Sequence, residues 1–202
     1  MHRILKSSEC KLLGGLFSYL IQIFLGLVAL CSLIYKRHIE IPKRKWKIWL
    51  FDVGKQLIGG FFIHCINILL SSYLKGNNDE CAFYFLNFFI DCTLGVLIVY
   101  MVHDGTCFII KKYINENSIF ADIGEYGDPP KIIIWVMQMS LYLFSLIINK
   151  IIIGLIFYYL INQMNYVSTW IFGSLKDKPN IELIIVMIIC PWILTTFQMW
   201  IF

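Results

Sequence analysis

Three side chains with acid–base chemistry sit inside long apolar runs of this 202-residue chain: His64, Asp91 and Lys150. An imidazole, a carboxylate and an ammonium can pass a proton, hold an ion or pair with one another. A lone charge at the middle of a bilayer costs about 2.5–3.5 kcal/mol on insertion scales. The cheaper arrangement is an Asp91–Lys150 pair with His64 as a hydrogen-bonding neighbour. Asn67 and Asn87 add two amides at a second level. Two readings follow. One is a buried polar knot that fixes which helices pack together. The other is a proton or ion pathway, since titratable groups inside a bundle also serve transport. Catalysis fits less well. No nucleophile stands in a recognisable turn motif, and no HExxH or paired-carboxylate spacing occurs. One His, one Asp and a Cys are too few ligands for a metal site. No catalytic residue, metal or cofactor is therefore assigned.

The elements that must position these groups are membrane spans. The chain is 59% hydrophobic and 15% charged, with a mean hydropathy of +0.73. Soluble domains sit near 45–50% apolar and about 25% charged. The apolar residues come in blocks of about twenty, the length a helix needs to cross hydrocarbon about 30 Å thick. The expected fold is all-α, a polytopic membrane helical bundle forming one membrane domain over residues 1–202. Its spans fall at 12–35, 48–74, 81–103, 132–162 and 181–202. Pro191 should bend the last of these.

Helical periodicity orients the polar groups. In span two, Asp52, Lys55, Gln56, Gly59, Gly60, His64, Asn67 and Ser71 share about half the circumference. In span three, Asn87, Asp91 and Gly95 follow at steps of four, and in span four Gln138, Tyr142, Ser145 and Asn149 share a face. His64, Asp91 and Lys150 lie at about the same depth, roughly 15–18 Å from the nearer span end at 1.5 Å per residue.

The connections set orientation. Residues 36–47 hold Lys36, Arg37, Lys43, Arg44, Lys45 and Lys47 against Glu40, so this loop is expected in the cytosol. Residues 104–131 share that side, and 75–80 and 163–180 are lumenal connections. Arg3, Lys6 and Lys11 at the N-terminus pull the other way. Lys43, Arg44, Lys45 and Lys47 also make a basic lipid-facing loop, suited to anionic head groups of the bilayer. The net charge of +4 is modest and gathered in that loop, which excludes a nucleic-acid partner. The seven cysteines have no CxxC spacing, and neither a disulfide framework nor a zinc site is expected.

The cytosolic stretch "GEYGDPPK" has Gly124 and Gly127 for tight turning, and Asp128 before Pro129 as N-cap chemistry for span four. The same residues, Gly124, Glu125, Tyr126, Gly127, Asp128 and Pro129, form a candidate docking loop, with Glu125 and Asp128 facing the basic loop.

Four stretches carry a family resemblance: "RKWKIWLFDVGKQLIGGFFIHCIN" (Arg44–Asn67), "YFLNFFIDCTLGVLIVY" (Tyr84–Tyr100), "GEYGDP" (Gly124–Pro129) and "IELIIVMIICP" (Ile181–Pro191). In this order they resemble the STIMATE family, with WxxDxxKQxxG and GEYGDP the more specific motifs. The resemblance implies a multi-pass, non-enzymatic protein of the endoplasmic reticulum membrane; the family's fungal relatives are vacuolar membrane proteins. It implies a role in organising or regulating store-operated calcium entry, or membrane contact sites. The implied partner is a STIM-like calcium sensor or another membrane protein. Animal members carry a basic cytosolic tail after the last span, whereas this sequence ends at Phe202, so tail-dependent binding is not part of the expectation. The competing reading is a small ion or solute transporter using the His64, Asp91 and Lys150 cluster.

Overall fold

A computed structural model describes residues 10, 12, 15–41, 45–74, 80–113, 122, 124–175 and 178–194. Among them every regular element is helical, in the order α1 (Leu16–Ile39), α2 (Trp46–Leu74), α3 (Glu80–Ile90), α4 (Val96–Tyr113), α5 (Ile132–Tyr159), α6 (Ile161–Phe172) and α7 (Pro179–Ile184). A five-residue π-helical turn, Asp91–Gly95, joins α3 to α4 without a break, and a second, Ile185–Ile189, follows α7. Among the described residues four helices are long and apolar enough to cross a membrane: Leu16–Ile39, Trp46–Tyr73, Glu80–Tyr113 and Ile132–Tyr159. The protein is an all-α, polytopic membrane bundle. The expected fifth span appears as a shorter apolar helix, Pro179–Leu194; its last residues, 195–202, lie outside the described part.

Local chemistry accounts for the helix ends. The last turns of α1 and α4 hold Lys36, Arg37 and His38, and Lys111 and Lys112, cations placed at the negative end of the helix dipole. Glu80 opens α3 at the positive end. Pro179 opens α7, where a missing N–H costs nothing. The π turn Ile185–Ile189 directly precedes Pro191, whose ring would otherwise press on the carbonyl of Met187; widening the turn makes room.

Three expectations about connections need correction. Residues 104–113 continue α4 instead of opening a loop, because staying helical keeps each backbone group bonded as the chain leaves hydrocarbon. Residues 163–172 belong to α6, not to a connection. Asp128 is not the N-cap of span four: residues 127–130 form a turn, with a cis Asp128–Pro129 bond, and α5 starts at Ile132.

The chain gathers into two compact units. The first combines the described parts of 1–31, 66–93 and 153–202, the second those of 32–65 and 94–152. In the first unit, Cys10 and Cys81 form a disulfide, which the sequence did not foretell. Around it, the Leu12 N–H donates to Glu80 Oε2 at 3.2 Å, and Gln22 Nε2 donates to the Leu12 carbonyl at 2.9 Å. Leu12, Cys81, Ala82, Val186 and Met187 are buried together here. Two helices long enough to cross a membrane, α1 and α2, separate Cys10 from Cys81, an even number that suits two cysteines on one side.

The pairing predicts a thiol count. Denatured under non-reducing conditions, the protein should expose the five free cysteines Cys31, Cys65, Cys92, Cys107 and Cys190 to a maleimide, and all seven after reduction. Seven reactive thiols before reduction would refute the bond.

Candidate functional site

The two most distinctive sequence motifs meet in the second unit. Tyr126, from GEYGDP, donates its hydroxyl to Asp52 Oδ1 of α2 at 2.6 Å. Lys55, one turn further along α2, lies 3.8 Å from Asp52 and donates to Gln138 Oε1 of α5 at 3.1 Å. Its ammonium also sits 4.9 Å from the centre of the Tyr126 ring, a cation–π distance. Gln138 closes the circuit. Its Nε2 donates to the carbonyls of Asp122 and Glu125, both at 2.8 Å, while its Oε1 also accepts the Gly124 N–H at 3.4 Å.

Local structure makes this possible. Gly124 and Gly127 hold φ of +83° and +81°, left-handed conformations that a side chain resists, and they fold the loop back onto α5. The Lys131 N–H donates to the Tyr126 carbonyl at 2.9 Å and ties the loop to the helix it precedes. Trp135 Nε1 donates to the Phe51 carbonyl at 2.7 Å. The indole passes over Gly54, where a Cβ would lie 3.4 Å from Trp135 Cζ2, in ordinary contact. Phe51 packs edge-on against Tyr126, with ring centroids 5.1 Å apart. The result is a loop whose central tyrosine is 2% exposed while Glu125, Gly127, Asp128 and Pro129 are on the surface.

The basic loop is described in part. Lys45 and Lys47 are exposed; Lys43 and Arg44 lie outside the described residues. Arg37 folds inward, its guanidinium 3.4 Å from the centre of the Trp46 ring and 5.1 Å from that of Trp49.

Within the first unit Asn67, Asn87 and Asp91 form a second polar cluster. Asn67 Nδ2 donates to Asp91 Oδ2 at 2.9 Å, and Asn87 Nδ2 donates to Asn67 Oδ1 at 3.1 Å. Ser71 donates to the Asn67 carbonyl at 2.6 Å. All four are buried. Asp91 opens the π turn, a feature that often marks functional positions in helices. Asn87 and Ser71 border a cavity of about 10 Å³, which Leu70, Phe83, Gly154 and Phe157 also line. That is the size of one water, not of a larger solute. His64 and Lys150 belong to the second unit, His64 partly buried and Lys150 6% exposed.

The polar stripe on α2 differs from the periodic reading: Gln56 and Gly60 are exposed, whereas Val53 is buried. Gly59 is required by contact, because a Cβ there would sit 2.5 Å from Tyr142 Cε1. Sequence reasoning missed His103, whose Nδ1 lies 3.3 Å from Ser145 Oγ. It also missed the role of Trp135. A tryptophan three residues into an apolar helix gave no signal; Gln138 on a polar face did, but its partners did not.

The STIMATE family model matches residues 81–202. A vacuolar membrane protein of Saccharomyces cerevisiae is 31% identical, over 94% of this chain and 76% of its own length. The chain belongs to the STIMATE family. No solved structure matches it. The family match covers GEYGDP, Gln138 and the Asp91 turn, while the yeast relative's alignment extends over nearly the whole chain.

Two experiments test this geometry. A double-mutant cycle of Tyr126→Phe and Asp52→Ala, read by unfolding in mixed micelles, should give a coupling of about 1.5–3 kcal/mol, as for a hydrogen bond to a charged group. Strictly additive losses would mean the two side chains do not bond. Gly59→Ala should destabilise by overpacking, about 1–3 kcal/mol, and a second change, Tyr142→Leu, should offset much of that loss. An equal loss with or without Tyr142 would disprove the contact.

Proposed function

We propose that this STIMATE-family protein is a non-enzymatic organiser in an endomembrane. In this reading it presents the GEYGDP loop in the cytosol as a rigid platform for another membrane protein. The observation that carries the reading is the motif-to-motif network. Asp52, Lys55, Tyr126 and Gln138 direct their polar groups at each other and at the loop backbone, which supports a structural role over catalysis. The exposed acids Glu125 and Asp128 are then held at fixed positions, and pre-organisation lowers the entropy cost of binding.

The membrane we assign is that of the endoplasmic reticulum, with the vacuole, named for the yeast relative, as the alternative. The Cys10–Cys81 disulfide supports such a placement, because disulfides persist on the oxidising side of a membrane. It also agrees with a lumenal N-terminus and a cytosolic basic loop, where Lys45 and Lys47 would meet anionic head groups. The partner we favour is a calcium-sensing membrane protein, and the process is store-operated calcium entry or the contact sites that serve it. Ion transport through His64, Asp91 and Lys150 is the second reading. What favours it is the buried carboxylate at a π turn, linked through Asn67 to Asn87, which lines a water-sized cavity.

A photo-crosslinking residue at Glu125 or Asp128, in the native cell, tests the organiser. We expect adducts with a membrane protein, lost when Tyr126→Phe loosens the platform, and reduced calcium entry after store depletion in cells lacking the chain. Adducts with lipid alone, together with unchanged calcium entry, would overturn it. An ion flux in reconstituted vesicles that Asp91→Asn abolishes would promote the transporter.

A further inference from the structure

We propose that α6 lies in the plane of the membrane, on the side that carries the Cys10–Cys81 disulfide, and that its outer face is covered by lipid at head-group level. α5 has 28 residues, so at 1.5 Å each it is about 42 Å long and outruns a hydrocarbon core of about 30 Å. Its closing residues, Tyr158 and Tyr159, are 68% and 76% exposed. At Leu160 the backbone leaves the helical region, with φ −102° and ψ 20°, and α6 begins. α6 has 12 residues, about 18 Å, too few to cross again.

Its inner face is accounted for. Ser168 and Phe172 are buried, and the Phe172 ring lies 5.3 Å from that of Phe85. Phe85 sits in the opening turns of α3, close to the disulfide-bonded Cys81, which anchors α6 at that end of the first unit. The outer face carries Tyr166 and Trp170, 75% and 78% exposed, beside the exposed amides of Asn162 and Gln163.

Charge then decides what covers that face. From Ile151 to Leu175 the sequence has no Asp, Glu, Lys, Arg or His. A helix in water would need charge to stay soluble, and one in the hydrocarbon would turn the outward amides of Asn162 and Gln163 into lipid tails. Amphipathic aromatic rings with polar tips and uncharged amides suit the boundary between the two. Most in-plane helices use basic residues to select anionic lipid. α6 has none, so its seat should depend on neither lipid charge nor salt.

The test places benzoylphenylalanine at Trp170 in the full chain, with Phe61 of α2, 71% exposed, as a mid-span comparison. The protein is reconstituted in phosphatidylcholine nanodiscs, with and without phosphatidylserine, and irradiated at low and high salt; native membranes serve as a further arm. Mass spectrometry should find phospholipid adducts at position 170 in every arm, attached to glycerol and upper acyl carbons. At position 61 the attachment should spread to lower acyl carbons. Adducts with a protein or a second copy in native membranes would overturn the proposal. So would the absence of a lipid adduct, attachment as deep as at position 61, or a yield that depends on phosphatidylserine.

Discussion

The Gln138 carboxamide is the joint on which the second unit depends. A primary amide offers two donors and a twice-accepting oxygen, and here both ends are in use. The nitrogen holds two loop carbonyls, and the oxygen takes a lysine from one helix and an amide from the loop. At 4% exposure the residue has little water to fall back on. Replacing it by an apolar residue would leave several groups short of a partner at once, each costing about 1–3 kcal/mol where buried. No hydrophobic side chain of similar shape could take over this role. Tyr126 and Lys55 depend on it in turn, because the loop must lie down on α5 before the tyrosine can reach Asp52.

The first unit rests on the same chemistry with a different vocabulary. Asn67 stands between Asp91 and Asn87, so one amide donates to a carboxylate oxygen on one side and accepts from a second amide on the other. Hydrocarbon forces this economy, since it supplies no donors or acceptors of its own. The contrast with the loop network lies in what the groups reach. Gln138 reaches mostly backbone and sets a loop; Asn67 reaches side chains and ties the end of α2 to α3 and its closing turn.

Much of this was legible in the sequence because hydrocarbon imposes a simple code. Apolar runs located the four long helices, and steps of four brought Asn87 and Asp91 onto one face. Gly124 and Gly127 announced a turn. What escaped has physical reasons. A cysteine pair 71 residues apart leaves no local pattern, so Cys10–Cys81 could only be seen in space. Asp128 and Pro129 look like a helix start, but the loop bonds to Gln138 and Lys131 take the chain through further turns first. The 163–172 stretch reads as polar connection because Asn162, Gln163 and Asn165 dilute its hydropathy. Periodicity along one chain also says nothing of which partner a polar residue meets, and so Tyr126 and Asp52 looked unrelated.

The two π turns show how little separates a structural device from a functional one. That at Ile185–Ile189 has a cause in the covalent chain, the proline ring that follows it. That at Asp91–Gly95 has no proline after it. Thr93 bonds back to the carbonyls of Phe89 and Ile90, at 2.9 and 3.3 Å, which occupies groups left misaligned where the ladder widens. Yet threonine bonds in this way in ordinary helices too, as Thr106 does to Val102 and Thr169 to Asn165, with no π turn. Thr93 therefore tolerates the widening without producing it. The remaining local influence is Asp91 itself, held by Asn67 from a neighbouring helix. The turn therefore begins at the residue whose carboxylate a neighbouring helix bonds.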